Sequence, residues 1–417
     1  MKRILFLLLF LTTSLFASQP LKMGVMTDTH YLSEKLMDKG YAIQQYVYNS
    51  GRDMIDSPEI LDQVIADYLA SDIEVLLVCG DMVKDGEKQS HIDFVEKLKP
   101  LKDKGVKIFV VPGNHDIRFT RATRYQGNKT FDTESTTSPQ DFKEIYADCG
   151  YNNAIRQDTT SLSYVAELDD SSWLLAIDAA LYDQKKGSTP SGGQIKPETE
   201  QWIVSALSEA KGQDKRVIAM MHWNVTEHLP FQAIVFPNHI ISDHARIASL
   251  LADNGVEVIF TGHFHSNDIS AFTSEAGNTI YDIETGALIS YPFSYRLVEL
   301  QRDELKVKTR NIASVPGNPN LVEESKKAMK RLSAQNGLPL LKSRVTVFGE
   351  EDLQQFAEIA SELYLLHLYG DEVVPDSLRV RINAVFEKNG FPVDESISNM
   401  EIDFPPADNN VVIKLTK

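Results

Sequence analysis

The sequence predicts an α/β domain over residues 18–315 followed by a mainly helical C-terminal segment over 320–417, and three observations predict it. Short apolar runs rich in β-branched residues recur along the first part of the chain. Stretches with apolar residues at helical spacing separate them. After the break Val315-Pro316-Gly317-Asn318-Pro319-Asn320, strand-like runs give way to helical periods.

The runs Leu21–Met26, Ile73–Val78, Val106–Val111, Trp173–Ile177, Val217–Met221 and Val256–Phe260 read as strands of a mostly buried sheet. Segments 58–70, 88–102, 197–211 and 243–253 read as the helices that cover it; Ile60, Leu61, Val64, Ile65 and Leu69, for example, fall on one face. Beyond residue 266 the runs Asp268–Phe272, Thr279–Ile283, Tyr295–Leu300 and Leu305–Thr309 are antiparallel in character. They make a second sheet or the far half of a sandwich. Helices are expected at 321–334, 350–369 and 376–389, the middle one stopped at Gly370. Polar insertions at 31–57, 117–140 and 223–242 each follow a motif described below, and loops of this length commonly carry function.

Residues 1–17 are of a different material: Lys2 and Arg3, an apolar run from Ile4 to Leu11, then small and polar residues towards Ala17-Ser18. This is the pattern of a cleavable export signal, which places the mature chain in the periplasm or outside the cell with no membrane span left. The 59 acidic residues against 42 basic ones give a formal charge of −17 in 417 residues. Such a balance argues against a protein that binds nucleic acid by neutralising its phosphates, so any phosphate chemistry must be local. Cys79, inside an apolar run, reads as a buried free thiol. Nothing in the sequence specifies an oligomeric state.

Five predicted strands run into residues that bind hard or borderline metal ions. They are Asp28-Thr29-His30, Gly80-Asp81, Gly113-Asn114-His115-Asp116, His222 and Gly262-His263-Phe264-His265. Ligand sites in open α/β sheets form at the carboxyl ends of strands, so parallel strands would bring all five to one edge. Asp28, His30, Asp81, Asn114, His222, His263 and His265 supply the mixture of carboxylate, carboxamide and imidazole donors that a pair of divalent ions needs. The glycines at 80, 113 and 262 fit tight turns at strand ends. Arg118, Arg121 and Arg124, close after Asp116, read as a solvated basic loop or as positive charge for an anionic substrate. The histidines at 91, 228, 239, 244 and 367 have no motif partner and read as surface or packing residues, with His228 and His239 in a loop that could reach substrate.

The ordered series Asp-x-His, Gly-Asp, Gly-Asn-His-Asp, His and Gly-His-x-His resembles the calcineurin-like metallophosphoesterase superfamily over about residues 21–300. The resemblance implies a two-sheet α/β sandwich flanked by helices and a centre of two divalent or mixed-valence ions, with Mn, Fe, Zn and Co not distinguished. It implies Asp28, His30, Asp81 and His265 at one ion and Asp81, Asn114, His222 and His263 at the other. It further implies attack of a metal-activated water on phosphorus, with His115 as general acid and Asp116 orienting it. The pattern is most similar to bacterial cyclic-nucleotide and glycerophosphodiester phosphodiesterases; Lys84 stands where the purple acid phosphatases carry a tyrosine. The resemblance thus implies hydrolysis of a small phosphodiester, with a phosphomonoesterase or pyrophosphatase as the alternative and a metal-retaining binding protein as the reading without turnover.

Overall fold

The computed structural model describes residues 19–133, 136–183, 189–344, 349–390 and 403–416; the expected export segment, 1–17, lies outside the described residues. Strands β1 (Leu21–Met26), β2 (Val75–Val78) and β3 (Lys107–Val110) are parallel neighbours. A hairpin of β4 (Thr123–Gln126) and β5 (Lys129–Asp132) stands apart inside the insertion after β3. Strands β6 (Arg156–Gln157), β7 (Tyr164–Glu167), β8 (Ser172–Ala176), β9 (Arg216–Met220), β10 (Val256–Thr261), β11 (Asp268–Thr273) and β12 (Thr279–Glu284) build a second sheet, in the order β11-β12-β10-β9-β8-β7-β6. The chain then returns to the first sheet with β13 (Ser294–Leu300), β14 (Glu304–Asn311) and β15 (Asn410–Lys414), which completes the order β15-β14-β13-β1-β2-β3.

The result is the two-sheet α/β sandwich flanked by helices. Met23, Val25 and Met26 of β1 and Val258, Ile259 and Phe260 of β10 belong to one continuous apolar core that draws on both sheets. Each such side chain taken out of water contributes roughly 1.5–3 kcal/mol against the conformational entropy of folding. The helix Ser57–Ala70 covers β1 with the face Ile60, Leu61, Val64, Ile65 and Tyr68, and the Tyr68 hydroxyl donates to the Val25 carbonyl at 2.8 Å.

Several elements differ from expectation for identifiable reasons. The helix expected over 88–102 is two, Lys88–Lys97 and Lys99–Asp103, because Pro100 opens the second. The four antiparallel runs divide between the sheets: β11 and β12 extend the second, while β13 and β14 join β1. The insertion 31–57 carries a helix, Tyr41–Ser50, closed by Gly51 at φ 72°. After the helices Leu321–Arg344, Glu350–Tyr369 and Asp376–Lys388, strand β15 pairs with β14 and puts Ile413 opposite Leu305. The C-terminal segment is therefore part of the first sheet as well as a set of helices. Cys79 and Cys149 are both free and buried. No helix among the described residues is long and apolar enough to cross a membrane.

Candidate metal centre

The carboxyl ends of β1, β2 and β3 in one sheet meet those of β9 and β10 in the other, and the expected donors collect there. Two groups stand out, Asp28–His30–His265 and Asp81–His222–His263, with the ligand atoms of each group within 4.8 Å of one another. His30 Nε2 lies between the groups, 3.6 Å from Asp28 Oδ1 and 3.7 Å from Asp81 Oδ2. His265 Nε2 is 3.0 Å from Asp28 Oδ1, and His222 Nε2 is 3.3 Å from Asp81 Oδ2. Asn114 is buried and lines the same cavity as Asp81 and His263. The seven expected donors are thus brought to one end of the two sheets.

The backbone at these positions is strained. Asp28 (φ 49°), His30 (37°), Asp81 (49°), His263 (73°) and His265 (70°) all adopt left-handed conformations. Each costs of order 1–3 kcal/mol for a residue with a Cβ, and such conformations persist where surrounding contacts over-determine them. Here the contacts are mutual. Asp28 N donates to the Gly80 carbonyl (3.1 Å), His30 N to the Asp81 carbonyl (3.0 Å), His263 N to Asp28 Oδ2 (2.9 Å) and His115 N to Asp81 Oδ1 (2.8 Å). Of the motif glycines, Gly80 is needed for a left-handed turn at φ 93°. Gly113 and Gly262 answer to space instead: a Cβ at Gly113 would lie 2.2 Å from Asp81 Oδ1, and one at Gly262 would lie 2.2 Å from Thr27 Oγ1 and 2.7 Å from Asp28 Oδ2.

The electrostatics suit cations. Burial pushes His30 down to about 3, with Arg52 adding to the effect, and burial with His222 and His239 holds His263 well below its ordinary value. Both rings are therefore neutral, the form that ligates. Burial opposes the charge on Asp28 and Asp81, yet the surrounding imidazoles hold both carboxyls well below the usual range. Against burial, Asp81 and Asp28 lift His222 to about 9, so this field recruits a positive charge where the carboxylates converge. His222 Nδ1 lies 2.7 Å from the Cys79 carbonyl oxygen and His263 Nε2 lies 2.9 Å from that of Asn238. These contacts leave His222 Nε2 and His263 Nδ1, 3.1 Å apart, facing the centre. Both ring nitrogens of His30 and the Asn114 Oδ1 are buried without a hydrogen-bond partner. Unpaired donor atoms of the right chemistry, sealed from water, fit a pair of divalent ions.

His115 lies beside this set, its ring 4.8 Å from that of His30 and stacked on Phe119 at 4.7 Å. Its Nδ1 is 2.9 Å from Asp85 Oδ1. This corrects the expectation that Asp116 orients His115. The Asp116 carboxylate accepts from Gly113 N (2.8 Å) and Val83 N (3.2 Å), so it ties the two loops together, while the His115 ring hydrogen-bonds Asp85 instead. Asp85, four residues after Asp81, is the residue that sequence reasoning missed. Burial opposes its charge, but His115 and Lys84 keep its carboxyl below the usual range. Lys84 is buried against Asp85 and Glu87 and packs 4.9 Å over the Tyr46 ring.

A cavity of about 480 Å³ opens onto Asp81, Asn114, His115, His263 and His265. The insertion 31–57 contributes Asn49, Ser50 and Arg52, the insertion 223–242 contributes Phe236 and His239, and the C-terminal helices contribute Met329, Leu332 and Tyr364. Arg52 was not foreseen. Burial works against its charge, and Tyr46, Asp81, Asp85 and Asp28 more than restore it. The arginines singled out from sequence lie elsewhere: Arg118 reaches the Tyr182 carbonyl (3.2 Å), Arg121 is exposed and Arg124 packs over Phe131. His239 stacks on His263 at 5.1 Å, whereas His228 is buried between Asp268 and Asp282 and His91 is a core residue bonded to the Tyr146 hydroxyl.

Comparison with known proteins bears on the same region. A family model described as calcineurin-like phosphoesterase matches residues 21–267. No curated protein matches the chain in sequence. The fold is similar to that of a dimetal phosphatase from Danio rerio, at a TM-score of 0.50 and 15% identity over 70% of this chain and 96% of that one. A purple acid phosphatase from seeds of yellow lupin (Lupinus luteus) aligns at a TM-score of 0.45 and 13% identity over 70% of this chain and 52% of that one.

Proposed function

Because the chain belongs to the calcineurin-like phosphoesterase family, we propose that it is an exported dinuclear-metal phosphodiesterase that hydrolyses a small diester. The observation that carries this reading is the joining of the two donor groups with the His115–Asp85 pair at one cavity. Asp28, His30, Asp81 and His265 would hold one divalent ion and Asp81, Asn114, His222 and His263 the other. When bound, such ions polarise a phosphoryl oxygen and lower the pKa of water. His115 holds a proton at Nε2, its Nδ1 being tied to Asp85, and delivers it to the oxygen that leaves as the P–O bond breaks. Asp85 sets the ring plane and faces the charge that changes on it. Arg52 binds a non-bridging phosphoryl oxygen or a second anionic group. Phe236, Phe264, Leu332 and Tyr364 give an organic arm of the substrate an apolar surface. Export rests on Lys2, Arg3 and the apolar run Ile4–Leu11.

Room for a second organic arm favours a diester, while the Arg52 charge favours the alternative, a monoester dianion. Paired aryl phosphate mono- and diesters, assayed at equal metal loading, separate the two. A higher kcat/KM for the diester is expected; a reversed preference assigns the same centre to a phosphomonoesterase. Arg52→Ala is expected to raise KM roughly 10- to 100-fold, the worth of a charge-assisted hydrogen bond to an anion, with metal content unchanged. Arg52→Lys should recover part of that loss, and an unaltered KM in Arg52→Ala would remove the residue from substrate binding.

A further inference from the structure

We infer that the protein carries a further divalent-metal site, apart from the catalytic pair, formed by Asp268, His367 and Glu372 where the C-terminal helices dock on β11. Asp268 opens β11, His367 sits in the last turn of the helix Glu350–Tyr369, and Glu372 follows in the turn beyond Gly370. Their relative exposures are 0%, 5% and 8%, and their ligand atoms lie within 4.8 Å of one another. His367 Nδ1 is 2.7 Å from Glu372 Oε1 and 3.7 Å from Asp268 Oδ2. Asp268 Oδ2 and Glu372 Oε2 are both buried without a hydrogen-bond partner. Two carboxylates turned on one imidazole, each with an unspent oxygen sealed from water, form a donor set that a cation would complete.

The surroundings add further carboxyl groups. Asp371, Asp403 and Asp408 form an adjoining group whose oxygens also lie within 4.8 Å of one another. Burial and the neighbouring carboxylates push Asp403 up to about 7 and Asp408 up to about 9, the mark of too many acids for the bases at hand. Arg296, the buried guanidinium of this region, does not pair with them. Its Nη1 donates to Thr309 Oγ1 (2.8 Å) and the Asp408 carbonyl (2.5 Å), its Nη2 to the Glu284 carbonyl and its Nε to Thr285 Oγ1. His228 is engaged by Asp268 Oδ1 at 2.6 Å and by Asp282 on its other side. That leaves Asp268 Oδ2, His367 Nδ1 and the Glu372 carboxylate to one ion, which would sit where His367 Nδ1 and Glu372 Oε1 now meet.

One imidazole with two carboxylates suits borderline Zn²⁺ or the harder Mn²⁺. The ion would clamp β11 to the helix that supplies Tyr364 to the cavity, and the His367 ring already packs on Phe264, another cavity residue, at 5.5 Å. Its role is thus to hold the wall of the catalytic cavity in place. The test is anomalous diffraction at the metal edge from crystals of the full chain saturated with Zn²⁺ or with Mn²⁺, combined with elemental analysis in solution. A peak between Asp268, His367 and Glu372, separate from those at the catalytic donors, is expected. The variant His367→Gln/Glu372→Gln should retain about one equivalent less metal per chain and keep the catalytic peaks. Occupied catalytic positions with no density at the proposed site overturn the inference, whether or not the variant folds. So does a folded variant whose metal content equals that of the parent.

Discussion

His115→Ala should lower kcat about 10²- to 10⁴-fold, the range of general acid catalysis, while leaving the metal content of the centre unchanged. The reason is positional. The ring is outside the expected ligand set but in edge contact with His30, and its orientation is over-determined by Phe119 on one face, Asp85 at Nδ1 and the backbone bond from His115 N to Asp81 Oδ1. A proton donor matters in proportion to how poorly the departing oxygen bears negative charge. The loss should therefore be largest with alkyl esters and shrink with nitrophenyl esters, whose leaving group departs unaided. Asp85→Asn, which keeps the shape and removes the charge, should show the same leaving-group dependence at smaller amplitude. A uniform loss across leaving groups would identify His115 as a binding residue, and unchanged kcat with alkyl esters would exclude a role in the reaction.

The second large effect is expected at a residue with no functional group. Gly113→Ala places a methyl 2.2 Å from Asp81 Oδ1 and 2.6 Å from Asp81 N, and the latter is backbone that cannot swing aside. Overpacking of this kind typically costs on the order of 1–3 kcal/mol, and here relief comes by moving Asp81. Asp81 is expected at both ion positions, its Oδ2 lying 3.7 Å from His30 Nε2 and 3.3 Å from His222 Nε2, so its displacement would disturb both at once. The variant should fold with a lowered Tm, retain less than half the metal of the parent and hydrolyse phosphoesters near the background rate. Elemental analysis alongside a thermal melt tests this; full metal content with parental turnover would show that the loop has slack the close contact denies.

The framework was legible because each donor terminates a contiguous apolar run. Leu21–Met26 before Asp28 and Val256–Thr261 before His263 announce strand and ligand together. The two sheets are also what brings residues as distant in sequence as Asp28 and His265 within 3.0 Å. What the sequence hid lies where side-chain direction, not position, decides the role. Asp116 adjoins His115 along the chain, yet its carboxylate turns inward to Gly113 N and Val83 N, and Asp85 reaches the ring from another loop. Its only signal is its place four residues after Asp81. Arg52 follows the helix of the insertion 31–57, which packs against the helix Leu321–Arg344, and a Cβ on Gly51 would meet Leu332 and Met329 at 2.8 Å. Only that docking carries Arg52 to the cavity. Strand β15 was missed because five residues after a long helical region make too short a period to stand out, and its pairing with β14 is what makes it a strand.

Phosphoester hydrolysis should depend on ions held by these donors. The measurement that tests it most directly is steady-state hydrolysis of an aryl phosphodiester by the metal-quantified protein, before chelation, after it, and after adding back Mn²⁺, Zn²⁺ or Fe²⁺. Activity should vanish with the metal and return as the catalytic positions refill, and Asp81→Asn should fail to recover it. Hydrolysis that survives complete chelation would show that these ions are not needed, and its absence against both mono- and diesters with the catalytic positions filled would show that the centre is not a phosphoesterase of either kind.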